Sequence, residues 1–324
     1  MANTLMKKPA APTVATGSDA ESSPVRKVLH GIGELWHDKA GFFGIVIVIV
    51  FVLTALLAPL VAPHNPSTQS LDIRLMPPFW EHGGSFSHPL GTDQLGRDML
   101  SRIIYGSRIS LLVGVGVVFV SMTVGVFFGV ISGYIGGRVD GFIMRVVDTQ
   151  GAFPGLLLAM LILAAVGPSV KTVMIVLMLD GWLVYARVAR GTVLSVREAA
   201  YVEAAEIVGC RSGRVMFRHI LPNLTSPILT LSVLEFARIV LAEAVLSFLG
   251  LGVQPPQMSW GLEIAEGQDY VYSNWWLVTF PGVAIALTVL GVNLFASWLR
   301  VAADPQEREK RFAASVRLTP VGGL

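Results

Sequence analysis

Side chains able to make or break bonds are few in this 324-residue chain, and none of them fall into a catalytic spacing. The six histidines form no H-E-x-x-H, there is no G-x-S-x-G, and the single Cys210 has no metal or nucleophilic partner nearby in sequence. The stretch Gly167-Pro168-Ser169-Val170-Lys171-Thr172 lacks the spacing and second glycine of a phosphate-binding loop. No catalytic residue, metal site or nucleotide site is therefore expected. Charge appears instead in two unusual settings. Arg187 to Pro222 is polar and Arg-rich, lies between two strongly apolar stretches, and carries Glu203-Ala204-Ala205, Gly209 and Leu221-Pro222. A bilayer protein has no packing reason to hold such a cassette in a loop, so its expected chemistry is docking to something outside the membrane. Asp180, Glu235, Arg238 and Glu243 form the second setting, each within an apolar stretch where a charge is costly unless paired or wet. Glu235 and Arg238, three apart, can face one another, and Asp180 is a further partner for Arg238. The group reads as a structural ion pair or as the border of a translocation path.

Elements must position these charges, and composition says what they are. With 53% hydrophobic and 14% charged residues and a mean hydropathy of +0.65, the chain is too apolar for a soluble domain, in which about a quarter of residues are charged. A formal charge of +2, with basic residues scattered among loops, gives no surface for nucleic acid. The expected class is all-α and integral to the membrane, with six transmembrane helices at Gly41–Ala62, Ile109–Ile135, Phe142–Val166, Val170–Val188, Ile228–Leu251 and Trp275–Leu299. Residues 1–24 are expected to be a disordered tail, 25–40 an amphipathic interfacial helix and 41–62 an uncleaved first span. Residues 63–107 read as an extracytoplasmic loop, 108–304 as a five-helix core with a cytoplasmic loop at 189–224, and 305–324 as a cytoplasmic tail. Eighteen Lys and Arg fall on the proposed inner side against five outside, which places both termini and the 189–224 loop in the cytoplasm.

Local signals refine these expectations. Ser195 and Glu198 match a capping box, predicting a short helix from Ser195 to Gly209. A second should follow and stop at Pro222, with Ser226-Pro227 opening the fifth span. Gly125, Gly129 and Gly133 leave one face of the second span bare, for close approach of a helix of this chain or of a partner, or for a substrate path. Pro154 can kink the third span or free a carbonyl within it. Trp260, Tyr270, Tyr272, Trp275 and Trp276 read as an interfacial aromatic belt or as part of a loop that probes a docked protein.

Glu203-Ala204-Ala205, Gly209 and Leu221-Pro222 resemble the E-A-A-x3-G-x9-I-x-L-P loop of ABC importer permeases, with His219 where the general pattern has Ile. His219-Ile220-Leu221-Pro222-Asn223 is similar to the peptide branch of that family. Two further stretches resemble the C-type subunit of dipeptide and oligopeptide permeases. One is His88-Pro89-Leu90-Gly91-Thr92-Asp93 with Leu95-Gly96-Arg97-Asp98, and the other runs from Leu241-Ala242-Glu243-Ala244 to Ser259-Trp260-Gly261. The resemblance implies a type I importer architecture in the bacterial inner membrane. It also implies a conduit without chemistry of its own, paired with a homologous B-type permease. Two cytoplasmic ABC ATPases would bind ATP and Mg, and an extracytoplasmic binding protein would deliver di- or oligopeptides. In that reading Glu203, Ala204, Ala205, Gly209, Arg211, Leu221 and Pro222 couple to the ATPase, and Asp93, Arg97, Asp98 and Trp260 meet the binding protein. Relatives that carry nickel chelates or glutathione, and a stand-alone ion-coupled transporter using Asp180, Glu235 and Glu243, are the alternatives.

Overall fold

The computed structural model describes residues 39–303, with side chains up to Arg300. The expected tail at 1–24, all but the last two residues of the interfacial helix at 25–40, and the tail at 305–324 lie outside the described residues. Nine helices organise the rest: α1 (Lys39–Leu56), α2 (Met99–Ile135), α3 (Gly137–Gly151), α4 (Gly155–Val166), α5 (Val170–Arg197), α6 (Ala200–Ile207), α7 (Leu221–Phe248), α8 (Trp260–Gly267) and α9 (Trp276–Ala303). Single helical turns at Ala58–Val61 and Ser212–Val215 and a π turn at Met216–Ile220 link them. The one extended pairing among the described residues is the Thr92–Asp98 bridge.

By length and composition α1, α2, α5 and α9 can each cross a membrane, and α3 with α4 makes a fifth crossing if counted as one broken span. The sixth expected span is α7, 28 residues and about 42 Å long. It is set apart by Glu235, Arg238 and Glu243 in its second half. The chain is an all-helical integral membrane protein.

The parallel pair α2 and α5 forms the centre. A Cβ added at Gly125 would sit 2.5 Å from the Trp182 carbonyl, at Gly129 2.5 Å from the Ala186 carbonyl, and at Gly133 2.8 Å from Val193 Cβ. The glycine face therefore receives a helix of the same chain, and the two backbones approach more closely than side chains would allow. α7 runs antiparallel to α2, with Gly114 against Phe236 and Ser110 bonded to Glu243. Antiparallel α1 and α9 pack through Gly44 and Gly291. His64, just past α1, donates its N–H to Ser101 near the start of α2. The start of α1, the ends of α2 and α5, and residues 200–224 therefore share one end of the bundle. Residues 57–98 and 249–275 occupy the other.

Four boundaries differ from expectation. α2 starts at Met99, ten residues before Ile109, because Asp98 caps it by accepting from the Ser101 N–H at 2.8 Å. α5 continues through Ser195 to Arg197, so the S-x-x-E pattern lies across a helix end and caps nothing; the short helix begins after Ala199 with no side-chain cap. α7 takes Pro222 into its first turn, where no N–H is needed, and carries Pro227 in its interior. The third span is cut in two, with α3 and α4 meeting at 79°. Pro154 has an extended ψ of 116° and ends α3 by disfavouring helix at Phe153 before it.

Gly129→Leu is expected to destabilise the protein by about 1–3 kcal/mol through overpacking, seen as a lower melting temperature in detergent. Gly141→Ala, where an added Cβ meets nothing within 4 Å, serves as the control and should melt with the parent chain.

Candidate functional site

Three clusters gather the residues singled out by sequence. In the first, α6 and the turns after it lie across the ends of α2 and α5. Val202, Val215, Ile220 and Leu224 are buried there against Val130, Tyr185, Ala189 and Val193. Two sets of bonds act here, the first fixing the helix ends on which the segment sits and the second holding the segment itself. Arg190 grips Asp140 with Nε and Nη2 (2.5 and 2.6 Å), fastening α3 to α5, and Arg197 Nη1 donates to the Gly133 carbonyl at 3.2 Å. Tyr134 donates to Glu206 (3.0 Å), and Asn223 Nδ2 donates to the Tyr201 hydroxyl (3.1 Å) and to the His219 carbonyl (2.6 Å).

α6 ends as the expected glycine stop requires. Cys210 N–H donates to the Ala205 carbonyl and Gly209 N–H to the Glu206 carbonyl, with Gly209 at φ +85°. A Cβ there would touch nothing within 4 Å, so the demand for glycine is conformational and not steric. Glu203, Ala204, Gly209, Arg211 and Pro222 are exposed, whereas Ala205 and Leu221 are half-buried. Beside them Ile207 and Val208 are 79% and 83% exposed and Phe217 is 71% exposed. An apolar tip on a pinned segment that also exposes Glu203, Arg211, Arg214 and Arg218 is a surface suited to another protein.

The second cluster is the charge group of α5 and α7. Arg238 Nη1 donates to Asp180 Oδ2 at 2.7 Å and its Nε to Glu235 Oε2 at 2.8 Å, so both expected partners are engaged at once. Arg238 Nη2 is buried and has no partner among the described residues. Asp180 and Arg238 line a cavity of about 530 Å³ with Pro154, Gly155, Leu177 and Leu241. The break before α4 shapes it, for an added Cβ at Gly155 would lie 2.3 Å from Asp180 Oδ1. The Asp180 carboxylate thus rests against the start of α4, where the helix dipole favours negative charge. Glu243, expected to border the same path, is fully buried instead. Ser247 donates to its Oε1 at 2.7 Å and Ser110 to its Oε2 at 3.3 Å, which joins α7 to α2.

The third cluster corrects an expectation. Asp93, Arg97, Asp98 and Trp260 were expected at the surface facing a docked protein, but all four are buried. Their charges are consumed internally. Asp93 Oδ1 accepts the N–H groups of Leu95 and Arg97 at 2.9 Å, and its Oδ2 meets Arg97 Nε. Arg97 and Arg102 both reach Glu266, at 2.5 and 3.1 Å. Arg102 Nε donates to Glu263 Oε2 at 2.7 Å while its Nη2 lies 2.7 Å from Oε1. Burial pushes the Glu263 carboxyl above the usual range, and the Arg102 guanidinium pulls it back down. Gly91 and Gly96 have positive φ, and an added Cβ at Gly96 would fall 1.8 Å from the Ser70 carbonyl. Residues 91–98 are thus a tight turn that, with the first turn of α2, brings Arg97 and Arg102 against α8. Trp260 donates from Nε1 to the Ile103 carbonyl at 3.0 Å and packs on Gly106.

Sequence reasoning passed over Glu263, Glu266, Gly155 and the serines around Glu243. The signal for the two acids was present in Arg97 and Arg102. Two arginines flanking an apolar helix start require carboxylates to meet them, but spacing does not say which.

Residues 125–309 match the family described as binding-protein-dependent transport system inner membrane components. Residues 32–78 match the N-terminal transmembrane domain of oligopeptide transport permease C. The chain is 44% identical over 280 residues to the dipeptide transport system permease protein DppC of Escherichia coli K12, covering 85% of this chain and 93% of that protein. It is 40% identical over 277 residues to the di/tripeptide transport system permease protein DppC of Pseudomonas aeruginosa, covering 84% and 91%. A probable D,D-dipeptide transport system permease protein of E. coli K12 is 38% identical over 266 residues, covering 82% and 87%.

Arg102→Leu would strand Glu263 without its cation, so a loss of about 3–5 kcal/mol is expected, measured by denaturation in detergent. The double variant Arg102→Leu with Glu263→Leu should recover part of that loss, because no buried charge is then left alone.

Proposed function

Since this chain belongs to the family of binding-protein-dependent transport system inner membrane components, we propose that it is one permease subunit of an ATP-driven peptide importer. A homologous permease pairs with it to enclose the path. Two ABC ATPases bind ATP and Mg on the cytoplasmic side, and an extracytoplasmic binding protein delivers the peptide. The chain itself performs no bond chemistry.

The observation that carries this reading is the exposed apolar tip at Ile207, Val208 and Phe217 on a segment fastened to α2, α5 and α7. A lever must be stiff where it joins the moving body and sticky where it meets the driver. Packing and hydrogen bonds meet the first need, and exposure of large apolar side chains beside Glu203 and Arg211 meets the second. The bias of Lys and Arg toward this end supports its cytoplasmic placement, and with it that of both termini. The Asp180–Arg238–Glu235 group presents both signs of charge beside the cavity behind Gly155, which suits a zwitterionic peptide. Peptide is the substrate because the relatives are named for di- and tripeptides, and uptake competition between dipeptides and nickel chelates separates those two classes.

Two measurements test the reading. Purification in mild detergent is expected to bring an ATPase and a second permease with this chain. Gly209→Val, which adds no clash but forces a branched residue to φ +85°, should leave both partners bound yet abolish ATP-driven peptide uptake. Peptide uptake by vesicles that hold this chain alone, without ATP, would overturn the proposal. For the path, Gly155→Val should drive Asp180 off Arg238 and slow uptake about tenfold or more, matching the ~1.5–3 kcal/mol of a charged hydrogen bond. Normal uptake at normal protein level would remove Asp180 from the path.

A further inference from the structure

The start of α2 gathers Asp98 with two histidines that no cluster above includes. His64 follows the first span, His88 precedes the tight turn, and Asp98 ends it. One ring nitrogen of each histidine and one oxygen of Asp98 lie within 4.8 Å of one another. His88 Nδ1 is 3.0 Å from Asp98 Oδ1, and His64 Nδ1 is 3.8 Å from Asp98 Oδ2. The rings stack at 4.5 Å with 26° between their planes. The side chains grade from buried to open, with Asp98 1%, His88 13% and His64 39% exposed.

We propose that His64, His88 and Asp98 bind a divalent transition-metal ion of the zinc class. Two imidazole nitrogens with one carboxylate oxygen are the donors such ions prefer, whereas magnesium and calcium favour oxygen alone. Ligand atoms around one ion at 2.0–2.2 Å stand about 3.0–3.5 Å apart, and the observed spacings need only a small side-chain shift to meet that. Electrostatics favours the same occupant. One dication shared by both rings and the carboxylate meets all three at once.

The surroundings are built for this task. Ser101 donates from its N–H (2.8 Å) and its hydroxyl (2.6 Å) to Asp98 Oδ2. Those two bonds fix the carboxylate plane and hold Oδ1 toward His88, as hydrogen bonds behind metal ligands do. His64 is itself fixed by its N–H to Ser101 Oγ at 3.0 Å. The open side of His64 supplies an entry path, and three protein donors leave a position for water. A bound ion would clip the segment leaving α1 and the turn at 88–98 to the first residues of α2.

The test uses the full chain carrying a tag without histidine, stripped with a chelator and titrated with zinc by calorimetry and with cobalt by visible absorption. One ion per chain is expected, together with a cobalt band and a higher melting temperature on adding zinc. His64→Ala and His88→Ala should each weaken binding about tenfold or more, and added zinc should then no longer raise the melting temperature. His82→Ala, at an exposed histidine outside the cluster, should bind like the parent chain. Absence of saturable binding, or binding that survives the double variant His64→Ala with His88→Ala, would overturn the proposal and leave the trio as a hydrogen-bonded helix cap. Asp98 is spared because it caps α2, so unfolding cannot imitate loss of the site.

Discussion

Close backbone contact between α2 and α5 is the constraint on which the molecule turns. Gly125, Gly129 and Gly133 let two long parallel helices touch along several turns, and each helix then delivers functional groups at both of its ends. α2 brings Arg102 to Glu263 at one end and Gly133 to Arg197 at the other. α5 brings Asp180 to Arg238 midway and leads directly into α6 at its end. A side chain between them would separate the helices and loosen all of these together.

Charge is used in two distinct ways along that scaffold. In the 91–102 turn the carboxylates and guanidinium groups are buried, mutually paired and multiply bonded, so they act as a rivet. Around Arg238 the pairing is looser, with one guanidinium nitrogen unpartnered and side chains partly exposed beside a cavity. A buried network with several ion pairs resists rearrangement because each separated charge meets a large desolvation cost. A half-wet group can exchange partners at less cost. The difference in burial separates groups that hold the frame from groups able to meet a solute.

The break between α3 and α4 connects the scaffold to the cavity. Pro154 ends one helix, Gly155 begins the next, and the bend opens the space into which Asp180 and Arg238 face. An uninterrupted span would fill that space with side chains. The segment at 200–224 is the counterpart in stiffness. Its apolar stripe is buried in the bundle and its tip is bare.

Much of this was legible in the order of residues. Apolar length gave the spans, since twenty or so uncharged residues admit few other fates, and Gly209 announced a helix stop because few other residues take a positive φ. The pairing of Arg238 with Glu235 and Asp180 followed from the cost of a lone charge in an apolar segment. Only the folded chain decided where the other charges went. Asp93, Arg97 and Asp98 look like surface residues in a polar loop, yet they are inside, because the turn at Gly91 and Gly96 gives Asp93 and Asp98 nearby N–H groups to accept from and sends Arg97 to Glu266, 169 positions away. Glu243 resembles a path residue until Ser110 and Ser247 are seen to enclose it, and His64 and His88 share no motif until the chain lays them beside Asp98. Local preference and hydropathy act over a few residues and can be read in a line, whereas the partner of a buried charge depends on which distant segments the packing brings within hydrogen-bond reach.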